Sequence, residues 1–102
     1  MDVRYADKKL ERLCTDEREM RRKRSDIATK LQMRIKALEA SPTLGDLQAA
    51  DPLGKWHPLT ADLEGMWSGR LSRNDRILVR PGNTEDPVAS VTVTVIDIKD
   101  YH

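Results

Sequence analysis

Ala89-Ser90-Val91-Thr92-Val93-Thr94-Val95-Ile96-Asp97-Ile98 is the stretch that decides the fold. Its β-branched residues alternate, with Val91, Val93 and Val95 on one face and Thr92, Thr94, Ile96 and Ile98 on the other. Apolar groups on both faces predict a central strand, covered on both sides near its end. Working backwards, Pro81-Gly82-Asn83-Thr84-Glu85-Asp86-Pro87 is loop chemistry. Before it, Arg76-Ile77-Leu78-Val79-Arg80 reads as a returning strand, with Ile77 and Val79 on one face and both arginines on the other. Ser72-Arg73-Asn74-Asp75 is the hairpin turn that feeds it. Gly65 opens a period-two run in which Trp67, Gly69 and Leu71 alternate with Met66, Ser68, Arg70 and Ser72. Trp56-His57-Pro58-Leu59 is a short extended piece, and Pro58 confines it to an edge or a strand end.

The first half reads as helices. Val3 and Tyr5 alternate against Arg4 in a short extended segment. Asp7 then caps a helix over residues 8–14, whose Leu10, Leu13 and Cys14 share one face. Thr15 and Asp16 offer a second cap, with Glu19 three residues beyond Asp16. A long helix is expected from there to about Ala40. Its stripe is Ile27, Leu31, Ile35 and Leu38, with Met20 and Met33 as further apolar cover. Ser41-Pro42 ends it, and residues 43–50 suit one or two helical turns on a connector. The expected architecture is α+β: a two-helix layer on a twisted, mainly antiparallel sheet of four or five strands, in one domain over residues 1–102.

Composition narrows the function. The 102 residues carry 18 Lys+Arg against 17 Asp+Glu, so bulk charge does not mark a nucleic-acid binder. Residues 1–50 hold 12 basic and 9 acidic side chains; residues 51–102 hold 6 and 8. A partner is therefore to be sought patch by patch, at Arg70, Arg73, Arg76 and Arg80 or at the 18–24 cluster. That cluster reads either as a solvated face or as a local patch for a partner. No apolar run suits a membrane span or a signal peptide, so the expected address is the cytoplasm. The single cysteine, Cys14, allows neither an internal disulfide nor a cysteine-cluster metal site. It reads as a small buried hydrophobe. Trp56 and Trp67 read as core, and Tyr5 as core or edge.

His57 and His102 are the two histidines, and neither has metal-ligand spacing to another ligand type. No cofactor is expected, since no phosphate-binding glycine loop is present. The strand ends directly on Asp100-Tyr101-His102. Alternation predicts Asp100 and His102 on one face, with His57, Arg70 and Arg76 nearby. An acid, a base and cations on one sheet face suit phosphodiester cleavage by a ribose 2′-hydroxyl. From the residues alone, a plain binding surface fits as well.

Three features in this order resemble the HigB-like toxins of the RelE/ParE superfamily. They are Trp56-His57-Pro58-Leu59, the segment Gly65-Met66-Trp67-Ser68-Gly69-Arg70 with Arg76 six positions on, and the terminal Asp100-Tyr101-His102. The likeness covers essentially the whole chain. It implies the toxin of a type II toxin–antitoxin module, a ribosome-dependent endoribonuclease that cuts translated mRNA without a metal. It also implies a helix-turn-helix, HigA-like antitoxin as partner, the 70S ribosome and its mRNA as targets, and operator DNA reached only through the antitoxin complex. Carried over by position, the catalytic residues are His57, Arg76, Tyr101 and His102, with Arg70, Arg73, Arg80 and Asp100 toward RNA and phosphate. The chain departs from the family pattern at Thr60, Ser72 and Val79. Relatives that poison gyrase share the fold, so a non-catalytic inhibitor of a protein target, or an antitoxin-binding relic, is the alternative.

Overall fold

The computed structural model describes residues 1–82 and 84–100. Strand β1 (Asp2–Tyr5) leads into helices α1 (Lys8–Thr15), α2 (Glu17–Lys23), α3 (Ala28–Ala40) and α4 (Leu44–Ala50). Strands β2 (His57–Pro58), β3 (Trp67–Arg70), β4 (Asp75–Pro81) and β5 (Thr92–Asp100) follow. They form one five-stranded sheet in the order β1-β5-β4-β3-β2, antiparallel except for β1 against β5. A parallel pair needs a long crossover, and here the helices provide part of it. The α+β expectation and its mainly antiparallel five-stranded sheet are met, and Pro58 lies on the edge strand.

The helical layer has more pieces than expected. The helix expected over residues 16–40 breaks between Lys23 and Ala28. Arg24 leaves the helical region (φ −138°, ψ 55°), and its guanidinium binds Asp26 on its own turn and Asp75 across the molecule. Ser25 and Asp26 are short polar residues that favour turns over helix interiors. The stripe survives the break: Ile27, Leu31, Ile35 and Leu38 are buried, as is Met20, while Met33 faces solvent. Thr43 and Asp46 close a reciprocal capping box on α4.

The sheet departs from simple alternation in two places. Pro87–Ala89 forms a 3₁₀ turn, so β5 starts at Thr92 and Val91 is 62% exposed instead of lining the core face. Further along, Leu78 pairs with Asp97 but Val79 with Val95, so Ile96 is bulged out of register. The bulge reverses the alternation beyond it. Ile98 pairs with Ile77 and packs against the core cluster with Val93 and Val95, not with Thr92 and Thr94 as expected. Asp75, expected in the turn, is the first residue of β4.

The core lies between this sheet face and the helices. Trp67, Ile77, Val79, Val93 and Val95 meet Cys14, Met20, Leu31, Ile35 and Leu38, and Tyr5 packs at the margin. Burial pushes the Cys14 thiol up to about 12, which keeps it an unreactive core residue. Trp56 is buried against Gly69, where an added Cβ would lie 2.6 Å from the indole Cη2. Gly69→Ala should therefore destabilise the fold by about 1–3 kcal/mol, the usual cost of overpacking. Urea unfolding would show it as a lower midpoint at unchanged slope; an unchanged midpoint would mean that the indole moves aside freely.

Candidate nucleic-acid interface

The register sorts side chains onto two faces, because residues paired across strands point the same way. The face opposite the core carries three rows. His57, Ser68, Leu78 and Asp97 form the first, Arg70, Arg76 and Lys99 the second, and Arg80, Thr94 and Arg4 the third. Neighbouring strands lie about 4.8 Å apart and successive same-face residues about 7 Å. Three cations from three strands are thus directly in line, an arrangement that like-charge repulsion disfavours. It suits a surface that meets a polyanion.

His57 projects from the edge strand and is exposed. Its Nδ1 lies 2.7 Å from the carbonyl oxygen of Lys55. A carbonyl only accepts, so Nδ1 holds a proton and donates. The Nε2 atom is then the one left for chemistry. It is a lone-pair base in the neutral ring and a proton donor in the imidazolium.

Arg76 is held at its base. Its Nη1 donates to the carbonyls of Ser72 at 2.7 Å and Asp75 at 2.9 Å, which fastens the guanidinium to the hairpin turn. The turn is itself clamped. Ser72 Oγ donates to Asp75 Oδ2 at 2.7 Å and receives the Asp75 amide at 3.1 Å. Arg24 Nη2 donates to Asp75 Oδ1 at 3.0 Å.

Arg70 is fixed through its backbone. Arg34, 2% exposed, donates from Nε to the Arg70 carbonyl at 2.7 Å and from Nη1 to Asp51 at 3.1 Å. Asp51 Oδ2 also receives the Trp56 indole N–H at 3.0 Å, and Gln48 donates to the Trp56 carbonyl at 3.1 Å. One buried pair therefore braces the strand end at Arg70 and the residue before His57.

Of the residues singled out from sequence, His57, Arg70, Arg76 and Arg80 share the open face. Arg73 is exposed in the hairpin turn. Asp100 pairs with Asp75 on the helix side, so the expectation that it faces His57 and Arg76 fails; the bulge at Ile96 is the reason. Tyr101 and His102 lie outside the described residues. Lys99, Arg34 and Asp51 escaped the sequence reading. Lys99 needed the bulged register, and the buried pair joins residues 17 apart with no local pattern between them. The 18–24 cluster is largely self-paired: Arg21 with Glu17, Arg22 and Lys23 with Glu19, and Arg24 with Asp26 and Asp75. Among the described residues no group of three or more acidic, histidine or cysteine side chains is placed to hold a metal ion. No helix there is long and apolar enough to cross a membrane.

A helical layer on one face of such a sheet is the fold of the solved YoeB/ParE and YafQ structures. The YoeB/ParE toxin from Agrobacterium tumefaciens superposes with a TM-score of 0.63 at 20% identity, covering 100% of both chains. A chain of the YoeB–YefM complex from Staphylococcus aureus gives 0.61 at 15%, covering 100% of this chain and 97% of that one. YafQ from E. coli strain BL21(DE3) gives 0.60 at 13%, covering 97% and 91%. At these identities the likeness is one of fold. No protein-family model and no curated protein matches the sequence.

The clamp on Asp75 makes a pH prediction. The Ser72 hydroxyl, and then the Arg24 guanidinium, hold its carboxyl below the usual carboxylate range. A depressed folded value stabilises the fold above the unfolded pKa of ~3.9 and loses that stabilisation as pH falls through the folded value. Asp75→Asn should cost about 1–3 kcal/mol at neutral pH. Parent and variant should converge in acid, as urea unfolding at pH 7 and below pH 4 would show. A gap that persists in acid would assign the loss to shape instead of charge.

Proposed function

We propose that this chain is the toxin of a type II toxin–antitoxin module, a HigB-like endoribonuclease that cuts mRNA on the ribosome and stops growth. The single observation that carries the reading is the sheet face opposite the core, where His57 stands exposed on the edge strand one row from the paired Arg70 and Arg76. The fold shared with YoeB and YafQ supports the toxin class. The terminal Asp100-Tyr101-His102 supports the HigB-like assignment.

The chemistry needs no metal. A base removes the proton of a ribose 2′-hydroxyl, and the 2′-oxygen attacks the adjacent phosphorus. The bond from phosphorus to the 5′-oxygen breaks as an acid protonates that oxygen, leaving a 2′,3′-cyclic phosphate. Arg76 and Arg70 neutralise the charge that gathers on the phosphorane oxygens. Tyr101 serves as base or orienting hydroxyl. His102, or His57 through Nε2, donates the leaving-group proton. Arg73 and Arg80 carry flanking phosphates. The partners are a helix-turn-helix, HigA-like antitoxin and the 70S ribosome with its mRNA. Operator DNA is met only through the antitoxin complex, and the site of action is the cytoplasm.

Single-turnover cleavage of ribosome-bound mRNA, mapped by toe-printing, tests this. Tyr101→Phe, His102→Ala and Arg76→Ala should each slow cleavage by ~10²–10⁴-fold while ribosome binding persists. Cleavage at the parent rate by all three would refute the active-site assignment. A parent that arrests growth yet cuts nothing would make the chain a non-catalytic inhibitor of a protein target.

A further inference from the structure

A cavity of about 290 Å³ opens beside this face, where β2 stops after two residues and leaves the edge of β3 at Arg70 unpaired by β2. Lys30 of α3, Lys55 and Arg70 line it together with the buried Arg34, and no carboxylate does. Asp51 neutralises Arg34. Lys30, Lys55 and Arg70 form no ion pair with any described residue. Three cationic residues with no ion-pair partner among the described residues thus line one small space.

We infer that this cavity is a phosphate subsite for the RNA strand, which leaves the open face past Arg70 and turns around the edge of β3 toward α3. The inference rests on the proposed reading in taking RNA as the substrate. The volume lies at the bottom of the roughly 300–1,000 Å³ range of small-molecule pockets, and it holds one phosphate group of a longer chain. A phosphate offers several acceptor oxygens to ammonium and guanidinium donors at once. Arg70 belongs both to the ladder with Arg76 and to the cavity lining, so it joins the two along one path. The opposite end of the sheet is the poorer exit. Its cavity of about 500 Å³ holds Arg80 and Arg4, and Arg4 is already paired with Asp2 at 3.0 Å.

The test is binding to ribosomes carrying mRNA with 2′-O-methyl riboses, which cannot be cut, over a salt series. The variants are Lys30→Gln, Lys55→Asn, the double variant and Arg4→Gln. Both lysines are exposed, and Asn tolerates the left-handed backbone of Lys55 at φ 47°. The double variant should bind more weakly and lower the log–log salt slope by about 0.7, the value of one single-strand phosphate. The two single changes should be non-additive, because they serve the same phosphate. Arg4→Gln should leave the slope alone. An unchanged slope in the double variant overturns the subsite, and a loss only in Arg4→Gln moves the strand to the far end. A second arm follows Lys30 and Lys55 by NMR with a free 2′-O-methyl oligonucleotide and with inorganic phosphate. The oligonucleotide should saturate at the lower concentration; equal affinity for inorganic phosphate would overturn the RNA assignment in favour of a free anion. Neither arm needs cleavage, so a chain that cuts nothing refutes the proposed activity while the salt slope still decides the subsite.

Discussion

The ion pair of Arg34 with Asp51 is the constraint on which the open face depends. A guanidinium 2% exposed is tolerated only when its charge and donors are satisfied. Arg34 meets this with the Asp51 carboxylate and the Arg70 carbonyl, and Asp51 in turn takes the Trp56 indole N–H. Every partner sits on a different element or connector: α3, the turn after α4, β3 and the entry to β2. Removing one partner would leave a buried charge unpaired, a loss on the order of 3–5 kcal/mol. The pair therefore ties the helical layer to β2 and β3, the strands that bear His57 and Arg70.

A second tie works on the other strand of the same hairpin. Arg24 stands where the helical layer breaks, and the break is what lets its guanidinium reach Asp75. Asp75 then orders Ser72, whose carbonyl receives Arg76. A helix continuing through residues 24–27 would have packed the same apolar stripe but would have lost this contact. Arg70 and Arg76 are thus each positioned from the helix side, Arg70 through Arg34 and Arg76 through Arg24. The sheet is the only layer between them and the core.

Much of this was legible in the sequence, for reasons that differ by residue. The stripe Ile27, Leu31, Ile35 and Leu38 carries a helical period that no strand imitates, so its burial followed directly. Val93 and Val95, Ile77 and Val79, and Trp67 carry period two, and they form the sheet's core face. What periodicity cannot see is a register change. The bulge at Ile96 moved Ile98 and Asp100 to the helix side and placed Lys99 in line with Arg76. Nor can it see the ties through Arg34 and Arg24, which join residues 17 and 51 apart. Trp56 was readable as core for its size, but the need for Gly69 beneath it appears only when the indole is in place.

Net charge is a poor guide to such a surface. The chain carries 18 basic and 17 acidic side chains, yet the two signs are spent in different places. On α2 and the turn after it, Arg21, Arg22, Lys23 and Arg24 are matched by nearby carboxylates, Arg24 also by Asp75, and exposed pairs of this kind contribute little to stability or to long-range attraction. Arg34 is matched inside the fold. On the open face and at the β3 edge, Arg70, Lys30 and Lys55 are matched by no carboxylate of a described residue. A polyanion responds to this local field, because charges farther off than a Debye length of about 8–10 Å are largely screened. Near-neutral bulk charge is therefore compatible with a local cationic surface, where Lys30, Lys55 and Arg70 line one cavity that no carboxylate lines.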